Sequence, residues 1–388
     1  MSDDIGFDDS YCQYTNEDNI DDITLWNSVL PRYCDDERRL YDHRVKKFRI
    51  SMDEYHDGLD GIICWKLIYP EVENIPLCPD IGLNDYLFRA IEAGALDEIK
   101  EHVNSSNINC EDRHGNSLLS YSIQFNQYEI VKFLLEHKAI PDPIGEYCLV
   151  SPLIKAIEVG NHKITELLLS FRANPNITVK NSPLPLNLAI IKNDVNTIAS
   201  LLEFGANPTL QEYMTGNTSL HYVANVGALD VVAELIKRGA TINVVNNFNE
   251  TPLHIASRHG YFDLVRYFVL NGTDINAVNS LNQTPLHLAC KTNSIDVIGF
   301  LILHNAKVNT EDYYKTTPLH EAVSIGNVNI IKMLLYNNAS INAQNNYGST
   351  PLHIAAIHNH REVIDLLIRC GACPYIKDAE GKTPGDYI

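Results

Sequence analysis

Apolar side chains in the later part of this chain recur as a fixed figure. Val231, Val232, Leu235 and Ile236 are followed by Leu264, Val265, Phe268 and Val269, and then by Val297, Ile298, Leu301 and Ile302. Ile330, Ile331, Leu334 and Leu335 come next, and Val363, Ile364, Leu367 and Ile368 close the series. An i, i+1, i+4, i+5 spacing is one face of an α-helix, so each figure predicts a short amphipathic helix with its other side in water. Every copy stands 33 residues from the next. A period of that length means stacked units, each too small to bury its apolar face alone.

A second helix precedes each of these. Thr-Pro-Leu-His occurs at Thr251 to His254, Thr284 to His287, Thr317 to His320 and Thr350 to His353, with Thr218-Ser219-Leu220-His221 one step upstream. Looser copies stand at Leu184 to Asn187, Ser151 to Ile154, Ser117 to Ser120 and Asp85 to Phe88, and Thr383-Pro384 starts another. Threonine caps a helix by accepting an orphan backbone N–H, proline suits the first helical position where no donor is needed, and leucine turns into the stack. Nine residues after each threonine come Gly227, Gly260, Asn293, Gly326 and Asn359, residue types that tolerate the left-handed backbone ending a helix. Gly205, Gly239, Gly272, Asn305, Asn338 and Gly371 end the second helices, followed by short extended stretches such as Asp274-Ile275-Asn276. The predicted unit is helix, turn, helix, hairpin.

These tetrads, their step and endings such as Gly205-Ala206-Asn207 and Gly239-Ala240-Thr241-Ile242-Asn243 resemble the ankyrin repeat family over residues 80–388. The resemblance implies an all-α ankyrin-repeat solenoid of nine units and a stub. It also implies that the tetrad histidines bond to the threonine and to neighbouring backbone, stitching units together, and that the chain holds a protein partner. Departures gather in the earlier units: Leu184-Pro185-Leu186-Asn187 lacks the histidine, and Lys138 and Arg172 stand where glycine is usual. Folded but irregular units are expected there, with regularity from about Thr218. The last segment, Lys382 to Ile388, reads as a minimal cap, as an end shielded by a partner or as the remnant of a longer array. The Asn-, Ile- and Tyr-rich style is similar to poxvirus ankyrin proteins that act on host proteins. Many of those end in an F-box-like segment that this sequence does not show.

Charge alters the picture at the front. Residues 1–80 carry 19 Asp plus Glu against 8 Lys plus Arg, or −11 of the formal −19. Residues 1–22 read as an acidic disordered tail. Residues 23–79, which hold both tryptophans, Trp26 and Trp65, read as a small N-terminal capping segment over the first repeat. The alternative is a docking module that makes the chain a substrate adaptor for a ubiquitin ligase. A strongly acidic chain without a Lys/Arg block argues against nucleic acid, and no apolar run approaches the ~20 residues that span a bilayer. Asp3, Asp4, Asp8 and Asp9 are the opposite of a secretory signal, so a reducing compartment is expected: cytoplasm (host cytoplasm for a viral protein) or nucleus. Nine scattered cysteines agree with that placement.

Candidate chemistry dissolves into the repeat. Cys370-Gly371-Ala372-Cys373 has redox or half-zinc spacing, but Gly371 and Ala372 are ordinary unit-ending residues and no second cysteine pair is near. No phosphate loop, HExxH, GxSxG or kinase signature occurs, so no enzyme, cofactor or metal is expected. The best functional hint lies three residues before each threonine, where Phe248, Leu281, Tyr314 and Tyr347 put a large side chain on four consecutive hairpin tips, with Tyr313 beside them. Aromatic anchors in exposed places mark interfaces. Along the first helices Arg258, His259 and Lys291 make one half of the concave surface mildly basic, and Ile325, Ile357 and His358 make the other apolar. A monomer that binds or sequesters one protein is expected.

Overall fold

The computed structural model describes residues 81–112, 115–142, 151–179 and 182–388, with side chains from residue 85 onward. They fall in one compact unit, Asp80–Ile388. The readings of residues 1–22 and 23–79 lie outside the described residues.

The Thr-Pro starts and the i, i+1, i+4, i+5 apolar figures produce the helices that their chemistry dictates. Among the described residues eighteen α-helices stand in nine consecutive pairs: α1 (Ile81–Ala93) with α2 (Leu96–His102), α3 (Leu118–Gln124) with α4 (Tyr128–Glu136), α5 (Pro152–Val159) with α6 (His162–Ser170). The pairs continue as α7 (Pro185–Ile191) with α8 (Val195–Glu203), α9 (Ser219–Val226) with α10 (Leu229–Lys237), and α11 (Pro252–His259) with α12 (Phe262–Leu270). Last come α13 (Pro285–Lys291) with α14 (Ile295–Leu303), α15 (Pro318–Ile325) with α16 (Val328–Tyr336), and α17 (Pro351–Ile357) with α18 (Arg361–Arg369). A 3₁₀ turn, Pro384–Tyr387, packs on α17. Odd helices stack on odd and even on even, and one continuous core runs the length of the stack. Leu253, Leu286, Leu319 and Leu352 from the tetrads are buried in it, as are the first three residues of each apolar figure, while the fourth is half-buried in Ile236, Val269, Ile302 and Leu335 and exposed in Ile368. Helices of seven to nine residues are too short to persist alone, so this burial is what holds them.

Two hydrogen-bond ladders tie unit to unit. In the first, each tetrad histidine is buried and works in both directions. His254 Nδ1 accepts from the Thr251 backbone N–H at 3.1 Å, and its Nε2–H donates to the Gln283 carbonyl of the next unit at 3.1 Å. His221, His287, His320 and His353 reach Glu250, Thr316, Ser349 and Lys382 in the same way. An acceptor at Nδ1 and a donor at Nε2 define the neutral Nε2–H imidazole, and burial accordingly lowers His221 and His254 to about 4. In the second ladder Asn309 Nδ2 donates to the Asn338 carbonyl at 2.9 Å while its Oδ1 accepts from Ser340 N–H at 2.7 Å. Asn176, Asn243 and Asn276 repeat the arrangement.

Two expectations need correcting. The tetrad copy at Asp85 to Phe88 does not start its helix: α1 already runs from Ile81, and Asp85 lies inside it. The connections are hairpins without strands: among the described residues there is only an isolated bridge between Glu111 and Ser117. Asp274 is not extended but starts a turn, its Oδ1 accepting from Asn276 N–H at 2.9 Å and its carbonyl from Ala277 N–H at 3.2 Å. Lys138 and Arg172 adopt the left-handed conformation that glycine supplies elsewhere, with φ of 74° and 68°. The unit without the histidine is stitched by other means. Asn187, fully buried, donates to Glu212 Oε1 at 3.1 Å and accepts from Ser219 Oγ at 2.8 Å.

Candidate functional site

Four consecutive loops between units turn around a short polar side chain. Asn246 Oδ1 accepts from the N–H groups of Phe248 (2.9 Å) and Glu250 (3.0 Å), and Asn279 does the same for Leu281 and Gln283. Asp312 holds Tyr314 and Thr316, and Asn345 holds Tyr347 and Ser349. Such side-chain turns reinforce the backbone bond that closes each of these loops, as Asn246 N–H does to the Glu250 carbonyl at 3.1 Å.

Neighbouring loops are then joined backbone to backbone. The carbonyl of Phe248 accepts from Ser280 N–H, that of Leu281 from Tyr313 N–H, that of Tyr314 from Asn346 N–H and that of Tyr347 from Ala379 N–H, each at 2.9 Å. The four row residues are thus consecutive rungs of one ladder. Gly348 is needed for the last rung, since at φ 71° its position leaves a Cβ only 2.7 Å from Ala379 N.

The side chains on this ladder face water. Phe248, Leu281, Tyr314 and Tyr347 are 57, 47, 46 and 65% exposed, and Tyr313 is 69% exposed. Among the described residues the only ring contact in the row is Tyr313 on Tyr314, edge to face with centroids 5.3 Å apart. Among the described residues Phe248 and Tyr347 make no ring contact.

First-helix positions are more divided. Ile325, Ile357 and His358 are exposed, as expected of the apolar half. Lys291 is exposed as well, but Arg258 is half-buried and forms an ion pair with Glu250 at the base of its own tip. His259 stacks on Tyr261, and burial together with Arg258 lowers its pKa. The pairing of Arg258 with Glu250 takes one cation from the basic half. Glu321, half-buried on α15, lies in the field of Lys291, and burial pushes its carboxyl up against that pull.

Sequence patterning missed two extensions of the surface. Tyr213 is almost fully exposed and Met214 largely so on the loop before Thr218. The step from Gly205 to Gly239 is 34 residues, and the extra residue falls where Glu212 N–H reaches past the usual partner to the Asn217 carbonyl, bulging Tyr213 and Met214 outward. That irregular step was the available signal. Phe125, Val159 and Ile191 likewise expose apolar surface at the ends of the early first helices.

The ankyrin repeats model, in three-copy form, matches residues 87–181, 186–279, 220–312, 253–345 and 286–378. The chain belongs to the ankyrin repeat family, whose repeats are protein-protein interaction modules and are typically non-catalytic. It is similar to an ankyrin repeat protein of fowlpox virus (strain NVSL), 31% identical over 160 residues, 40% of this chain and 36% of that protein. An ankyrin repeat protein of Acanthamoeba polyphaga mimivirus is 29% identical over 143 residues, 34% of this chain and 18% of the relative. The B-cell lymphoma 3 protein homolog of Mus musculus is 28% identical over 145 residues, 36% and 32% of the two chains. The chain thus spans about a third or less of the length of these relatives.

Proposed function

We propose that this chain is a non-enzymatic scaffold that binds or sequesters a cellular protein, a host protein if its source is viral, in the cytoplasm or nucleus. The observation that carries the proposal is the row Phe248, Leu281, Tyr314 and Tyr347, fixed rung by rung through its backbone yet exposed through its side chains. Exposed aromatics on a rigid frame lose little conformational freedom on binding and bury much area per residue, which is how interface anchors work. Tyr213 and Met214 lengthen the row at one end, and Ile325 and Ile357 widen it. Family membership supports a protein partner in general terms.

A photoreactive phenylalanine analogue in place of Leu281 tests this directly. On irradiation in lysate it should attach covalently to a protein that the whole chain captures, and the same group in place of Glu129, in the first turn of α4, should not. Failure of every captured protein to attach at position 281 would refute the proposal.

A further inference from the structure

The last residue of each even helix occupies one column along the stack. In six units it is polar: His102, Glu136, Ser170, Glu203, Lys237 and Arg369. In the three consecutive units between Lys237 and Arg369 it is Leu270, Leu303 and Tyr336, exposed by 60, 77 and 90%. Isolated exposed apolar residues are ordinary, but three successive ones in one register make a patch.

Four residues earlier on each helix, hence on the same face, stand Arg266, Gly299 and Lys332. Arg266 and Leu270 line one shallow groove, shared with Leu229 and Asp263. Gly299 has no side chain to fill the gap between the two cations, and its nearest neighbour is Met333 of the next helix. Among the described residues neither Arg266 nor Lys332 is in an ion pair, on a chain whose formal charge is −19. Leu-Leu-Tyr beside Arg-Gly-Lys is complementary to carboxylates flanking apolar side chains.

We propose that this column is a second docking surface, separate from the tip row, for an acidic segment of a protein partner with apolar residues between two carboxylates. Packed helices lie about 8–10 Å apart, so Arg266 and Lys332, two units apart, are separated by roughly 16–20 Å. An extended chain at ~3.3 Å per residue covers that in about five or six residues. A chain with both surfaces joins two proteins rather than sequestering one.

The probe is a labelled synthetic peptide with two glutamates about six residues apart and leucines between them, titrated into the full chain by fluorescence anisotropy. A lysine-for-glutamate counterpart is the control. The acidic peptide should bind at least ~10-fold more tightly than its counterpart, and more weakly as salt rises. The Arg266→Glu/Lys332→Glu variant should lose at least ~10-fold, since reversing both charges removes two attractions. Leu303→Ser should weaken binding too, and Phe248→Ala/Tyr314→Ala/Tyr347→Ala should bind like the parent. All three altered positions outside the tips are on the surface, so unchanged melting curves should accompany these effects. No saturable binding up to ~1 mM, equal binding of both peptides, or a loss confined to the tip variant would overturn the proposal.

Discussion

His254 and Gln283 lie in adjacent units, and the imidazole Nε2–H of one donates to the backbone carbonyl of the other at 3.1 Å. Because Nδ1 of the same ring accepts from Thr251 N–H, one side chain closes a helix start and an inter-unit seam together. Replacing His254 with Leu keeps apolar volume but strands a buried N–H and a buried carbonyl. Each such orphan costs about 1–3 kcal/mol, so urea denaturation should show a loss of roughly 2–4 kcal/mol. A loss below ~0.5 kcal/mol would mean the seam is held by packing alone.

The same geometry fixes a pH dependence. Burial lowers His221 and His254 to about 4 and lowers His287 and His320 as well, whereas the unfolded chain titrates its histidines near 6.5. Between those values the unfolded state binds more protons, so stability is complete above about pH 6.5 and falls as pH drops toward about 4. At pH 5 the penalty is roughly 2 kcal/mol for each of His221 and His254. Melting temperatures recorded from pH 7.5 to 4.5 should decline through this window, and a flat profile would contradict the neutral-imidazole ladder.

Lys138 and Arg172 hold left-handed backbone at φ 74° and 68°, with exposed side chains. Glycine adopts that region without the Cβ clash, which costs other residues about 1 kcal/mol. Lys138→Gly and Arg172→Gly should each raise stability by ~0.5–1 kcal/mol in thermal melts. A decrease would show that the side chains contribute more than the backbone loses.

The asparagine ladder is open to residue-level measurement. Asn309→Ala removes a donor to Asn338 O and an acceptor for Ser340 N–H, so it should cost about 1–2 kcal/mol at that seam. Hydrogen exchange at Ser340 should accelerate while that at Leu253, buried two units away, stays the same.

Much of this architecture is legible from residue order, because Thr, Pro, Leu and His each act locally and the 33-residue step repeats that local chemistry. Helices α9 to α18 and the tip row follow from it. What stayed hidden depends on contacts between positions with no fixed spacing. Glu250 reaching Arg258, eight residues away, removes a cation that composition counts as free. Asn187 doing a histidine's work needs Glu212 from the following loop, which only the fold brings near. The Leu270, Leu303 and Tyr336 column escaped notice because apolar residues at a helix end read as more core until the register shows them facing outward.

The central claim, that the exposed row on the tips is the binding surface, is tested most directly by titrating a captured partner against the chain and its Phe248→Ala/Tyr314→Ala/Tyr347→Ala variant. We expect the variant to keep its melting temperature and to lose at least ~100-fold in affinity, as truncating several interface anchors does. Full-strength binding by the folded variant would contradict it.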